Sequence, residues 1–148
     1  MTAHRASMTM ITLGVSDLPR SRRFYASLGW KDTPASQESV AFLQGSNILL
    51  GLFGSKDLAK DAHLSVSGSG YGNMTIAANQ TSRKAVDHYY SDAIEAGAQA
   101  LKEPGETFWG GYSGYFADPD GHVWEVAHNP FFPMDDEGRV NLLGEKAA

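Results

Sequence analysis

The sequence contains no cysteine, and this absence excludes several kinds of chemistry. Without thiols the chain has no disulfide bond, no thiolate metal site and no cysteine nucleophile. The redox state of its compartment is therefore left open. Stability has to come from a packed core, which 148 residues with 42% hydrophobic side chains are able to form.

Long apolar runs are also missing from the chain. No stretch approaches the roughly 20 apolar residues that a membrane-spanning helix needs. Residues 1–7 likewise lack the apolar core of a signal peptide. We therefore expect a cytoplasmic protein without a membrane partner.

Positive charge is scarce, because 12 lysines and arginines stand against 17 acidic residues, for a net charge of -5. Nucleic-acid binding requires a clustered basic face, which this composition does not supply. We expect no nucleic-acid partner. The acidic balance favours a neutral or basic small molecule instead.

What the chain does have is an internal repeat. Each half has the pattern of a strand, a helix and three further strands, or βαβββ. Apolar residues at helical spacing, each run followed by a glycine, predict helices over Leu18–Leu28 and Ser82–Ala96. We predict the following segments: a first module over residues 8–54, a linker over 55–72, a second module over 73–130 and a tail over 131–148.

This repeat predicts an α+β fold. Each module alone would be a thin sheet with one covered side. Two such sheets can form a curved, barrel-like mixed sheet around a cleft, with the helices outside. Clefts of this kind are where small molecules usually bind.

The last two strands read as a hairpin around the turn Pro119-Asp120-Gly121. Alternation along the second strand places Glu125 on one face with Val123 and Ala127, and the neighbouring histidines and Trp124 on the other. A carboxylate on a face of small apolar side chains is exposed to water, paired with a cationic side chain, or available to bind a ligand. Glu125 is therefore the first candidate site residue.

Two motifs together point to a family. The first is Val15-Ser16-Asp17-Leu18-Pro19-Arg20-Ser21 with Phe24-Tyr25 and Leu28-Gly29; the second is Phe116-Ala117-Asp118-Pro119-Asp120-Gly121 with Glu125. Over roughly Met8 to Pro130 the chain resembles the vicinal oxygen chelate superfamily. That superfamily includes glyoxalase I, extradiol dioxygenases, fosfomycin-resistance thiol transferases and bleomycin-resistance proteins. The resemblance implies the paired βαβββ fold and a homodimer.

Metalloenzymes of this superfamily carry ligands on the first and last strands of each module. The resemblance places those positions at Met10, Gly51, Asn73 and Glu125, of which Glu125 alone keeps the ligand type. A thioether suits soft ions and glycine offers no side chain. The five histidines lack metal-ligand spacing. We expect no cofactor; a divalent metal at these positions is the disfavoured alternative.

Without a metal, the predicted cleft is an apolar pocket with a few polar groups. Its predicted lining comprises Met10, Thr12, Leu49, Gly51, Phe53, Asn73, Thr75, Trp109, Tyr112 and Glu125. Methionine adapts to irregular ligands, and Gly51 is expected to enlarge the space. The alternative is that these residues fill the core. The aromatic run with Trp109 and Tyr112 either forms a stacking wall at the pocket mouth or packs at an edge and a dimer interface.

Two functions are compatible with these sequence features. The first is a metal-independent small-molecule binding protein of the glyoxalase/bleomycin-resistance type, with a cleft suited to a planar or partly apolar ligand. The second is a glyoxalase- or dioxygenase-like enzyme, a lyase or isomerase, with Glu125 as general base or sole remaining metal ligand. We favour binding, because one carboxylate without a metal or second positioned group lacks the electrostatic stabilisation that such chemistry requires.

Overall fold

The computed structural model describes residues 8–63 and 74–143 of the chain. The elements, in chain order, are β1 (Met10–Val15), α1 (Leu18–Ser27), β2 (Lys31–Asp32), β3 (Val40–Gln44), β4 (Leu49–Gly54), α2 (Ser55–Asp61), β5 (Ile76–Asn79), α3 (Arg83–Glu95), β6 (Gln99–Glu106), β7 (Tyr112–Ala117) and β8 (Val123–His128). No helix in this part of the chain is long and apolar enough to cross a membrane.

The two long helices begin and end where their local sequence directs. The side chains of Asp17 and Ser82 cap α1 and α3, each accepting a hydrogen bond at 3.0 Å from the backbone N–H three residues on. Gly29 and Gly97 follow the helices with φ of 95° and 116°, a conformation that glycine adopts without steric cost. The predicted helices are thus confirmed to within one residue at each end.

The strands form two four-stranded sheets of matching topology. Sheet one has the order β1-β4-β3-β2 and sheet two the order β5-β8-β7-β6. In each sheet the first pair is parallel and the other pairs are antiparallel. The predicted α+β class and the βαβββ repeat are confirmed; the sheets are curved but not closed into a barrel.

The two modules pack through their helices. α1 contacts β2, β3 and β4, α3 contacts β6, β7 and β8, and the two helices touch each other. One core therefore joins both sheets, with these members: Leu13, Val15, Ala41, Leu43, Leu50, Leu52, Phe24, Tyr25, Val86, Tyr90, Ala93, Phe116, Trp124 and Val126. We call the side of each sheet that faces this core its inner face and the other side its outer face.

The two long helices pack on the inner faces of the sheets, on the side opposite to Glu125 and Gly51. The outer faces of both sheets are thus free of α1 and α3. Both helices still expose their polar sides to solvent.

The turn between β7 and β8 locks module two onto module one. Asp118 is buried; its Oδ2 accepts a hydrogen bond from the Tyr25 hydroxyl at 2.6 Å, and Trp124 Nε1 donates to that same hydroxyl at 3.1 Å. The Oδ1 of Asp118 accepts the backbone N–H groups of Asp120 and His122, both at 2.9 Å. Burial, reinforced by the Asp118 carboxylate, raises the pKa of Tyr25 well above its ordinary value.

The same turn reaches the start of α1. Asp120 Oδ1 accepts from the backbone N–H and the hydroxyl of Ser16, both at 2.8 Å, and Oδ2 accepts from Ser21 Oγ at 3.1 Å. His122 Nε2 lies 2.7 Å from the carbonyl oxygen of Gly14. We call this contact, between residues 118–122 and the β1–α1 connection, the sealed junction.

Candidate functional site

The outer face of sheet two carries a row of four side chains in cross-strand register. Lys102 on β6 pairs with Tyr115 on β7, Tyr115 with Glu125 on β8, and Glu125 with Ala77 on β5. The positions on either side of this row hold small residues: Ser113, Ala117, Val123 and Ala127. Glu125 therefore stands among short side chains.

Glu125 is partly buried, yet no described residue forms a hydrogen bond or an ion pair with its carboxylate. Lys102, two strands away, is exposed and forms no ion pair with it within 4.0 Å. A carboxylate taken partly out of water without a partner is energetically costly. It is suited to accept a hydrogen bond from, or pair with, a cationic ligand.

The outer face of sheet one has different chemistry at the equivalent row. There Phe42, Gly51 and Thr12 lie in register, without an ionisable side chain. A Cβ added to the buried Gly51 would lie 3.0 Å from Thr12 Oγ1 and 3.2 Å from Met10 Sδ. The expectation that Gly51 enlarges the cleft is therefore wrong, because neighbouring side chains already occupy that space.

The remaining predicted residues of module one share this outer face. Leu49 pairs with Met10, and Phe53 with Gly14, in the parallel register of β1 and β4. At the far end of the face α2 covers Gly14, where Leu58 Cδ2 would lie 3.4 Å from an added Cβ. Met10 remains 37% exposed at the open end.

The aromatic residues predicted as one stacking wall are divided between two places. The Trp109 ring folds back over Gly111 at the start of β7, so closely that a Cβ there would lie 1.7 Å from it. Tyr112 lies on the inner face, where its hydroxyl donates to Asp87 at 2.7 Å and the Arg83 guanidinium stacks over its ring. The structure therefore does not bring Tyr112 together with Glu125.

Two further predicted residues lie at the start of module two. Thr75 precedes β5 and is exposed, so it lies outside the row that contains Glu125. Asn73 lies outside the described residues. Sequence reasoning missed Lys102, because β6 shifts register between Ala100 and Lys102 and again before Gly105, so simple alternation does not place its side chains.

The residues at the predicted metal positions do not fit a hard divalent ion. Within residues 8–63 and 74–143, no cluster of three or more histidine, aspartate or glutamate side chains has the arrangement of a metal site. Met10 and Gly51 offer a thioether and no side chain, and they lie in a different sheet from Glu125. Glu125 is a single carboxylate, which is a weak ligand set alone.

A family model supplies the deciding comparison. The model of the Glyoxalase/Bleomycin resistance protein/Dioxygenase superfamily matches residues 7–126. The chain belongs to this superfamily. The resemblance expected from the two sequence motifs is thereby confirmed.

Solved structures of superfamily members agree with this assignment. A glyoxalase-related enzyme from Fulvimarina pelagi is 32% identical with a TM-score of 0.85, and the match covers 93% of this chain and 98% of that one. A glyoxalase/bleomycin resistance protein/dioxygenase family enzyme from Burkholderia phytofirmans PsJN is 20% identical, with a TM-score of 0.71 and coverage of 81% and 96%.

A lactoylglutathione lyase from Agrobacterium tumefaciens is 18% identical, with a TM-score of 0.68 and coverage of 89% and 100%. At such identities the likeness shows the shared superfamily fold alone. No curated protein matches the sequence.

Proposed function

We propose that this superfamily member is a metal-independent small-molecule binding protein, and that its ligand is planar, partly apolar and cationic. One observation carries the proposal: the carboxylate of Glu125 has no partner in the described chain and stands on an open sheet face of small side chains. The net charge of -5 supports a cationic ligand as well.

The surroundings of Glu125 suit a flat molecule. Ala77, Val123 and Ala127 form a low floor beside the carboxylate, and Tyr115 adds an aromatic ring in the adjacent register position. An aromatic cation would lie on this floor, with its charge at Glu125 and its ring against Tyr115. A hydrogen bond to a charged group contributes about 1.5–3 kcal/mol.

A second copy of the chain would complete the site. A single curved sheet provides one wall, whereas small-molecule sites usually bury most of the ligand surface. The outer face of sheet one, with Met10, Thr12 and Phe42, is the apolar wall that a partner chain has to offer. The edge strands β1 and β5 each pair with only one neighbouring strand within the described chain, and the free edge that this leaves favours edge-to-edge association. We therefore propose a homodimer with two such sites.

Titration with berberine, a planar aromatic cation whose fluorescence rises on binding, tests this proposal. Glu125→Gln keeps the side-chain shape and removes the charge, so we expect binding about tenfold weaker or more. Glu95→Gln is the matched control, because this glutamate is exposed on α3 and the substitution changes the net charge equally. Equal affinities for the two variants, or no saturable binding to the wild type, would contradict the proposal. Light scattering at micromolar concentration tests the dimer.

A catalytic role is the second candidate, and the register of Tyr115 beside Glu125 is the observation that favours it. A carboxylate and a phenol in adjacent positions can act as general base and general acid on a carbon acid. Exchange of the hydroxymethyl protons of hydroxyacetone in D₂O, followed by NMR, measures this activity. Accelerated exchange that Glu125→Gln removes would replace the binding proposal with an enzymatic one.

A further inference from the structure

The modules meet at a second junction that differs from the sealed one. There the turn between β3 and β4, where Gly45 N–H donates to the Ile48 carbonyl at 3.0 Å, faces the strand β5 of module two. No hydrogen bond among the described residues joins this turn to module two. Between them lies a cavity of about 440 Å³, which we call the intermodule cavity.

Apolar and aromatic side chains form the walls of this cavity. Ile11 and Trp30 come from module one, and Ile76 and Trp124 from module two, all packed in or against the shared core. Trp30 lies directly over Gly45, where an added Cβ would be 2.5 Å from the indole ring. The glycine therefore permits the close approach that holds this flat wall in place.

Three polar side chains that line the cavity lack a partner. The hydroxyl of Tyr89 and the side-chain amides of Asn47 and Asn79 form no hydrogen bond with any described residue. Burial raises the pKa of Tyr89 to about 12, so its hydroxyl stays protonated and is a neutral donor at physiological pH. Asn47 is exposed, whereas Asn79 and Tyr89 are partly buried, so the Tyr89 hydroxyl is the best-placed of the three groups to donate to a molecule in the cavity.

The cavity presents almost no charge. Glu137, in the turn after β8, is the one acidic or basic side chain of the lining. Its Oε2 is already paired with the Arg139 guanidinium at 2.6 Å. A ligand ion would therefore lose its hydration without gaining a free counter-charge, which selects against ions of either sign.

We infer that the intermodule cavity is a second binding site, which borders the Glu125 site at Ala77, for a neutral, planar aromatic molecule that carries a hydrogen-bond acceptor. The partly exposed indole ring of Trp30 provides a stacking surface, and the Tyr89 hydroxyl donates to the acceptor. The volume lies within the range of about 300–1,000 Å³ that is typical of small-molecule pockets. This site does not depend on the function proposed above.

Two neutral fluorescent probes test the chemistry of the site. Prodan is a naphthalene with a ketone acceptor, whereas N-phenyl-1-naphthylamine is similarly flat and has no carbonyl group. Tyr89→Phe should weaken Prodan binding about fivefold and leave N-phenyl-1-naphthylamine binding unchanged, because only the ketone uses the hydroxyl. Tyr90→Phe is the matched control, because it also removes a tyrosine hydroxyl from α3. The Tyr90 hydroxyl does not line the cavity and donates instead to the Tyr115 carbonyl. This control should leave both affinities unchanged.

A second variant fills the cavity. Ala78 lines it, so Ala78→Phe should weaken both probes at least about tenfold, whereas Ala26→Phe on the exposed side of α1 should weaken neither. Thermal melts identify any variant that fails to fold. The inference is overturned if the wild type binds neither probe saturably, if Ala78→Phe folds and still binds, if Tyr89→Phe affects both probes equally, or if berberine displaces Prodan.

Discussion

The two junctions between the modules are formed by equivalent turns of the repeat, residues 118–122 and residues 45–48, but the side chains of these turns make different contacts. At the sealed junction the turn 118–122 places two carboxylates into the other module, and each accepts several hydrogen bonds. At the other, the turn 45–48 has a glycine, a serine and an amide at the same place, and a cavity remains. The same βαβββ repeat therefore forms a hydrogen-bonded contact at the sealed junction and leaves the intermodule cavity at the other.

The outer faces show the same division. In module one the position of Gly51 is filled by Thr12 and Met10, and in module two the equivalent position carries the unpaired Glu125. Module one thus supplies apolar walls, and module two supplies the polar chemistry. The duplicated fold fixes where side chains stand, and the residues at those places decide what they do.

The largest effect should come from breaking the sealed junction. Asp118→Ala leaves the buried Tyr25 hydroxyl and two backbone N–H groups without their acceptor, which should lower the free energy of unfolding by about 3 kcal/mol. Asn47→Ala, in the equivalent turn, should change it by less than about 0.5 kcal/mol. Urea melts of both variants measure the contrast, and equal losses would show that the junctions do not differ as described.

Alkaline pH should distinguish the junctions through their tyrosines. The folded-state pKa values of Tyr25 and Tyr89 lie above the unfolded value of 10.0, chiefly because of burial. Their contribution to stability is fully present below pH 10 and is lost as pH rises through the folded-state values. For Tyr89 this amounts to about 2 kcal/mol by pH 12.

Two variants assign this loss. Tyr89→Phe should flatten the fall in stability above pH 10 at little cost at pH 7, because its hydroxyl has no described partner. Tyr25→Phe should cost about 1.5 kcal/mol already at pH 7, because it breaks the bond to Asp118. Urea melts from pH 7 to 11 provide the measurement. An unchanged alkaline slope in Tyr89→Phe would contradict the burial of this tyrosine.

A smaller effect is expected on the outer face of module one. Gly51→Ala places a methyl group 3.0 Å from Thr12 Oγ1 and should destabilise the fold by about 1 kcal/mol. If the face were an open cleft at this point, the same substitution would be neutral or stabilising. Thermal denaturation of the variant beside the wild type decides between these outcomes.

The smallest effect should come from added metal. Zn²⁺, Ni²⁺ or Mn²⁺ should raise the melting temperature little, because neither outer face brings together a set of suitable ligands in the described chain. A saturable site at 100 times its Kd would stabilise the fold by about 2.7 kcal/mol. A shift of that size in differential scanning calorimetry would contradict the metal-independent proposal.

Much of this molecule was predictable from its sequence, and the helix caps show why. Local signals such as Asp17 before Pro19, or glycine after each helix, act over a few residues and fix element boundaries. The alternation of side chains along β8 likewise predicted that Glu125 and Trp124 lie on opposite faces of the sheet, as they do. These predictions needed no knowledge of the partner element.

The relation between the modules was not predictable in the same way. Alternation shows that a sheet has an apolar inner face, but it does not show whether that face covers its own helix alone or a helix shared with the other module. The deciding contacts, such as Tyr25 with Asp118 and Trp124, join residues more than 90 positions apart. The filled space at Gly51 and the intermodule cavity depend on that packing, so they also became visible only in the structure.

The unpaired carboxylate of Glu125 is the centre of this account, and one comparison tests it most directly. Glu125→Gln and the wild type are to be compared by urea melts without ligand and by berberine titration. We predict an unfolding free energy that is unchanged or slightly higher, because the glutamine removes a poorly solvated charge, together with berberine affinity reduced by about tenfold or more. A loss of stability above about 2 kcal/mol with unchanged affinity would show that Glu125 belongs to the fold, and would contradict the account.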